Sequence, residues 1–102
     1  MSNIVVFVNY EIKPEFKSKY LALMKELKLN IMAYTDIIYN VYESKEKPNF
    51  FSEVFHCPTR FSFNQFNKLA ESSEKINFLL REVDKCILNY SHIQKENEHI
   101  AA

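Results

Sequence analysis

The chain is 102 residues long and carries 13 Lys+Arg against 13 Asp+Glu, a formal net charge of zero. One domain fits that length, and 47% hydrophobic against 25% charged residues supplies a packed core. Neutralising several phosphates takes a basic excess, so nucleic acid is not the expected partner, and the absence of glycine excludes glycine-based phosphate loops and dinucleotide fingerprints.

Residues 4–12 are β-branched and aromatic, with Ile4, Val6, Val8, Tyr10 and Ile12 on one face and Val5, Phe7, Asn9 and Glu11 on the other. This pattern predicts a central strand. Pro14 suits a first helical position, and Glu15 follows it in the first turn. Phe16, Tyr20, Leu23, Leu27 and Ile31 then recur at helical spacing, predicting an amphipathic helix over 14–32. Residues 35–44 read as a second strand, with Ile37, Tyr39 and Val41 opposite Ile38, Asn40 and Tyr42. A polar turn containing Pro48 leads to a third strand, Phe50 to His56, close enough for a hairpin.

Phe63, Phe66 and Leu69 fit a short helix over 59–70. Ser73 is placed to cap another, with Ile76, Leu80 and Val83 on one face. Residues 86–93 alternate well enough for a last strand, so residues 1–94 form the domain and residues 95–102 a polar C-terminal tail. The longest apolar run, Ile4 to Val8, is five residues, against about 20 for a membrane-spanning helix. No membrane partner is expected. Residues 1–10 show no secretory pattern, and Cys57 and Cys86 lack short paired spacing. Two reduced, buried thiols in a cytoplasmic protein are the expectation.

The order β-α-β-β-α-β predicts an α+β, ferredoxin-like fold: a four-stranded antiparallel sheet with both helical regions on one face. Apolar residues occupy both faces of the strands, and the helices cover only one. A second copy of the same sheet is the simplest cover for the other, so a homodimer through the sheet faces is expected.

The chain resembles the antibiotic-biosynthesis-monooxygenase-like (ABM-like) family of dimeric α/β-barrel proteins over residues 4–93. The resemblance rests on the first strand ending in Lys13-Pro14, the strand Tyr39-Asn40-Val41-Tyr42-Glu43-Ser44 with its turn to Pro48, and Phe50-Phe51-Ser52-Glu53-Val54-Phe55 running into Phe63-Asn64-Gln65-Phe66. Phe55 stands where members usually have Trp, and Asn64 where many have His and heme-degrading relatives Trp. An ungapped count puts Glu74 at the heme-degrading branch's further His, matching Asn9 to that branch's first-strand Asn takes a one-residue slip, and Thr35 replaces a usual Gly. The departures at Asn64, Glu74 and Asn9 argue against heme degradation. The resemblance implies a homodimer with a pocket between sheet and helices in each subunit. Active members oxidise polycyclic phenols or quinols with molecular oxygen, without metal or flavin, so no cofactor is expected. A non-catalytic ligand-binding or stress-related dimer is the alternative. The same element order occurs in RNA-recognition domains, but Phe50 to Phe55 lacks the basic start and glycines of their third strand.

His56 is the candidate general base, since a histidine changes charge near neutral pH. Asn9 and Asn40 interrupt apolar strands, either as structural hydrogen-bonding groups or as groups that orient a substrate. Asn64 is a substrate-binding candidate through the resemblance, and Phe63 and Phe66 are candidate pocket walls. Glu53 reads as a salt-bridged group at the dimer interface or sheet end; as a base it needs burial to raise its pKa. His56, His92 and His99 are too scattered for a metal site. Cys57 adjoins His56, but adjacent strand residues point to opposite faces.

Overall fold

The computed structural model describes the backbone of residues 2–99 and the side chains of residues 3–90. Strand β1, Ser2–Ile12, puts Ile4, Val6, Tyr10 and Ile12 into the core, as its alternation predicts. A single 3-10 turn, Pro14–Phe16, opens into helix α1, Lys17–Tyr34. Tyr20, Met24, Leu27 and Ile31 form its buried stripe. The Thr35 backbone N–H and Oγ1 both donate to the Ile31 carbonyl, at 3.0 and 2.7 Å, and Oγ1 accepts from Ile37 N–H at 3.1 Å. Those bonds hold residues 35–37 out of the sheet, so the strand expected from Thr35 starts later, as β2, Ile38–Glu43.

In the following turn Ser44 Oγ accepts the backbone N–H groups of Glu46 and Lys47. Asn49 takes a left-handed conformation, φ 68°, which asparagine tolerates better than most residues. Strand β3 is Phe50–Cys57. The helix expected over 59–70 breaks at Lys68 into α2, Arg60–Asn67, and α3, Leu69–Ser72. Thr59 Oγ1 caps α2 by accepting Ser62 N–H at 3.0 Å. Ser73 Oγ caps α4, Glu74–Cys86, by accepting Ile76 N–H at 2.9 Å. Replacing Ser73 by Ala leaves that N–H without its partner and lowers stability by about 1 kcal/mol, measured by denaturant unfolding.

Strand β4, Ile87–His99, runs past the expected end of the domain: residues 95–99 pair with Val6 back to Ser2. The remainder of the expected tail, 100–102, lies outside the described residues, as do the side chains of His92 and His99. The sheet order is β2-β3-β1-β4 with every pair antiparallel. The expected ferredoxin-like α+β fold is the fold observed. One continuous core joins α1 and α4 to the helix side of the sheet, and Lys19 and Lys85 flank Glu82 at 3.2 and 2.7 Å where those helices meet. Cys57 and Cys86 are buried and unpaired. Burial pushes the Cys57 thiol up to about 11, so it stays protonated.

Candidate functional site

The alternation of β3 sends Phe51, Glu53, Phe55 and Cys57 toward the helices. Glu53 is thereby carried into the core with 7% of its surface exposed. Its neighbours across the ladders are Val8 and Val41, so the strands bring it no counter-charge. Its partners are phenols instead. Tyr39 Oη donates a short hydrogen bond to Glu53 Oε1, and Tyr10 and Tyr20 hydroxyls are 2.6 Å apart beside it. All three tyrosines are fully buried. The expectation of a salt-bridged group at an interface or sheet end is therefore corrected: Glu53 lies in the core with no ion-pair partner among the described residues, because its strand phase matches that of its flanking phenylalanines.

This environment sets the proton affinity. Burial pushes the Glu53 carboxyl above the ordinary glutamate range, and hydrogen bonding by Tyr39 and then Tyr10 pulls it part of the way back. The phenols are pushed the other way from ionisation: burial first, then the Glu53 charge, holds Tyr10 and Tyr39 protonated. Tyr39 Oη also lies 3.3 Å from Met24 Sδ. When Glu53 is charged, the tyrosine proton points to the carboxylate. When Glu53 is protonated, its O–H can donate to Tyr39 Oη while the tyrosine proton turns to the thioether. Both states of the carboxyl are therefore satisfied without backbone movement.

One side of Glu53 opens onto a cleft of about 290 Å³ between sheet and helices. Val8, Glu53 and Phe55 form its floor, and Phe66 and Asn67 of α2, Leu69 and Ala70 of α3 and Leu80 of α4 close over it. Phe55 and Phe66 meet edge to face at 4.8 Å between centroids, and Phe63 stacks behind Phe66 at 6.1 Å. Aromatic walls with one buried carboxyl suit a flat apolar molecule that presents a hydroxyl proton. Larger hollows lie elsewhere, about 410 Å³ beside Tyr34 and Phe61 and about 420 Å³ along the β2 edge. Their charged side chains, Lys68 and Glu71 in the first and Lys25, Lys28 and Glu43 in the second, are exposed. Among the described residues, Glu53 is the carboxyl that is both buried and set against the apolar walls of a cleft.

No protein-family model and no curated protein matches the chain. Solved structures do. A conserved protein from Methanosarcina mazei Go1 superposes with a TM-score of 0.76 at 19% identity, covering 96% of this chain and 92% of that one. A protein from Chloroflexus aurantiacus J-10-fl, provisionally named antibiotic biosynthesis monooxygenase, gives a TM-score of 0.77 at 9% identity over 98% and 96% of the two chains. A further antibiotic biosynthesis monooxygenase gives 0.69 at 16% identity over 100% of both. The chain has the ABM-like fold. At these identities the likeness is one of architecture, and the chemistry has to be read from this chain's own residues.

Within the ABM-like fold the residues singled out from sequence do not converge. Phe66 lines the cleft, and Phe63 supports it from behind. His56 and Asn9 lie on the opposite, helix-free face of the sheet, paired in register with Val5 and Ser52. There Asn9 Oδ1 accepts a 2.5 Å hydrogen bond from Ser52 Oγ, a structural bond across the ladder. Asn40 sits on edge strand β2, where its Oδ1 accepts from Lys28 Nζ at 3.1 Å. Asn64 is exposed and lines the hollow beside Tyr34 and Phe61, away from Glu53. Asn67, one turn further along α2, is the asparagine at the cleft. Among the described residues no group of His, Cys, Asp and Glu is arranged to hold a metal ion, and no helix is long and apolar enough to cross a membrane.

Proposed function

We propose that the protein is a cofactor-independent monooxygenase that oxidises a phenolic or quinolic ring in the Glu53 cleft. One observation carries this reading: a carboxyl at the floor of an apolar-walled cleft, its proton affinity raised by burial and its hydrogen bonds supplied by tyrosines. In its charged form Glu53 accepts the substrate hydroxyl proton. Negative charge then spreads over the ring, and a ring carbon gives an electron pair to dioxygen, forming a C–O bond. Glu53 returns its proton to the outer oxygen, giving a hydroperoxide. Loss of the hydrogen on that carbon breaks the O–O bond, leaves a carbonyl and releases water. Phenol and dioxygen thus balance quinone and water. Phe55 and Phe66 line the cleft as walls and leave it open, which favours ligand binding over a purely structural role.

The molecule works as a homodimer joined through the helix-free sheet faces, in the cytoplasm, where its two free thiols stay reduced. The deciding experiment incubates the purified protein with 1,4-dihydroxynaphthalene or 1-naphthol and follows dissolved oxygen. The expected result is uptake of one dioxygen per substrate, faster than the buffer rate and unaffected by chelators. Uptake at the buffer rate across a broad panel of phenols and quinols overturns the reading.

A further inference from the structure

The shape and charge of the cleft narrow its occupant, provided that the cleft is the substrate site. Its volume of about 290 Å³ lies at the bottom of the range for small-molecule pockets, roughly 300–1,000 Å³. Phe55 and Phe66 pack edge to face, with Phe63 stacked behind, so the cleft offers a bound ring aromatic contacts. Among the described residues no Lys, Arg or His lines it, so an acidic substituent inside it would have no cation and would face the Glu53 carboxylate. The polar side chains are at opposite ends: Glu53 is buried at the floor and Asn67 is exposed at the lip.

We propose that the cleft takes an uncharged phenol or quinol, hydroxyl first, and excludes ring acids. The inner hydroxyl meets Glu53. A second oxygen at the far end of the molecule meets Asn67 and water.

The test is equilibrium binding without oxygen, so that it reads recognition apart from turnover. Amide shifts of Phe66, Ala70 and Leu80 are followed by NMR with 1-naphthol, naphthalene and 1-hydroxy-2-naphthoate as probes. 1-Naphthol is expected to bind at least 10-fold more tightly than either of the other two. Glu53→Gln is expected to hold 1-naphthol within threefold while discrimination against the naphthoate collapses. Ala70→Leu, at an exposed position on the lip, blocks 1-naphthol without touching the core. Naphthoate or naphthalene binding as tightly as 1-naphthol, or shifts that map away from these residues, overturns the proposal. Selective binding with no oxygen uptake leaves it standing and removes the monooxygenase reading alone.

Discussion

Replacing Glu53 by Gln removes oxygen uptake and, at the same time, makes the protein more stable at alkaline pH than the parent. The loss of activity follows from the missing proton acceptor and is expected to be between about 10²- and 10⁴-fold in kcat, the usual worth of a positioned base. The stability effect has the opposite sign because the base is held where its charge is unfavourable. Glu53 has a folded-state pKa raised above its unfolded value by burial. Below the ordinary glutamate pKa the group is protonated in both states and has no pH-linked cost. Above it the unfolded chain releases the proton while the folded chain still holds it, so stability falls as pH rises. That fall continues up to the folded pKa, at no more than about 1.4 kcal/mol per pH unit, and then levels off. The Glu53→Gln variant has no such slope. Its amide keeps an oxygen for the Tyr39 hydroxyl but brings an N–H₂ group, which cannot accept a hydrogen bond, into a site of donating tyrosine hydroxyls and apolar rings, so near pH 4 the variant is expected to be the weaker of the two. Denaturant unfolding from pH 4 to 9 should show the two curves crossing. A difference that stays constant with pH would mean that Glu53 is not a buried, proton-holding carboxyl. Tyr39→Phe is the companion variant. It deletes a hydrogen bond that lowers the Glu53 pKa, so the carboxyl ¹³C titration and the alkaline rise in activity both move to higher pH.

How much of this is legible in the sequence depends on which physical signal carries each feature. Strand β1 and helix α1 are written in hydrophobic period, and the start of α4 in the capping chemistry of Ser73; both signals are local, and these elements form close to their expected places. The start of β2 escapes the pattern because Thr35 competes for the backbone through its own hydroxyl, and a strand propensity does not register that competition. The length of β4 escapes it for a related reason. Residues 95–99 have no apolar alternation, and only pairing with β1 makes them strand. Glu53 is the instructive case. Its position two residues from Phe51 and two from Phe55 already places it on the core face of β3, yet an acidic residue is almost never buried without partners. The partners are Tyr39 and Tyr10, from two other strands, and Tyr20 from α1. The phase is legible; the convergence of tyrosines that makes the position tolerable is tertiary. His56 draws notice by residue type alone, and its strand phase turns it to the other face.

That other face carries the second large effect. Across it, Asn40, Val54 and Phe7 form one cross-strand row, Ile38, His56 and Val5 a second, and Tyr42, Ser52 and Asn9 a third. Ile38 and Tyr42 are 49% and 58% exposed in the single chain, and no helix crosses this side among the described residues. A two-fold pairing of such faces sets each patch against its own copy, so one substitution acts twice. Val54→Asp, in the central row, would put two carboxylates into the same apolar contact. The parent is expected to sediment as a dimer at about 10 μM, and the variant as a folded monomer with association weakened at least 100-fold, or about 2.7 kcal/mol. Because Val54 points away from the core, the helical circular dichroism of the variant should match the parent. The chain's own cleft residues lie on the far side of the sheet. The Val54→Asp monomer should therefore still bind 1-naphthol, at an affinity within about threefold of the dimer's. A parent that remains monomeric at 100 μM would show that water alone covers the face, whereas a dimer undisturbed by Val54→Asp would place the contact on another surface.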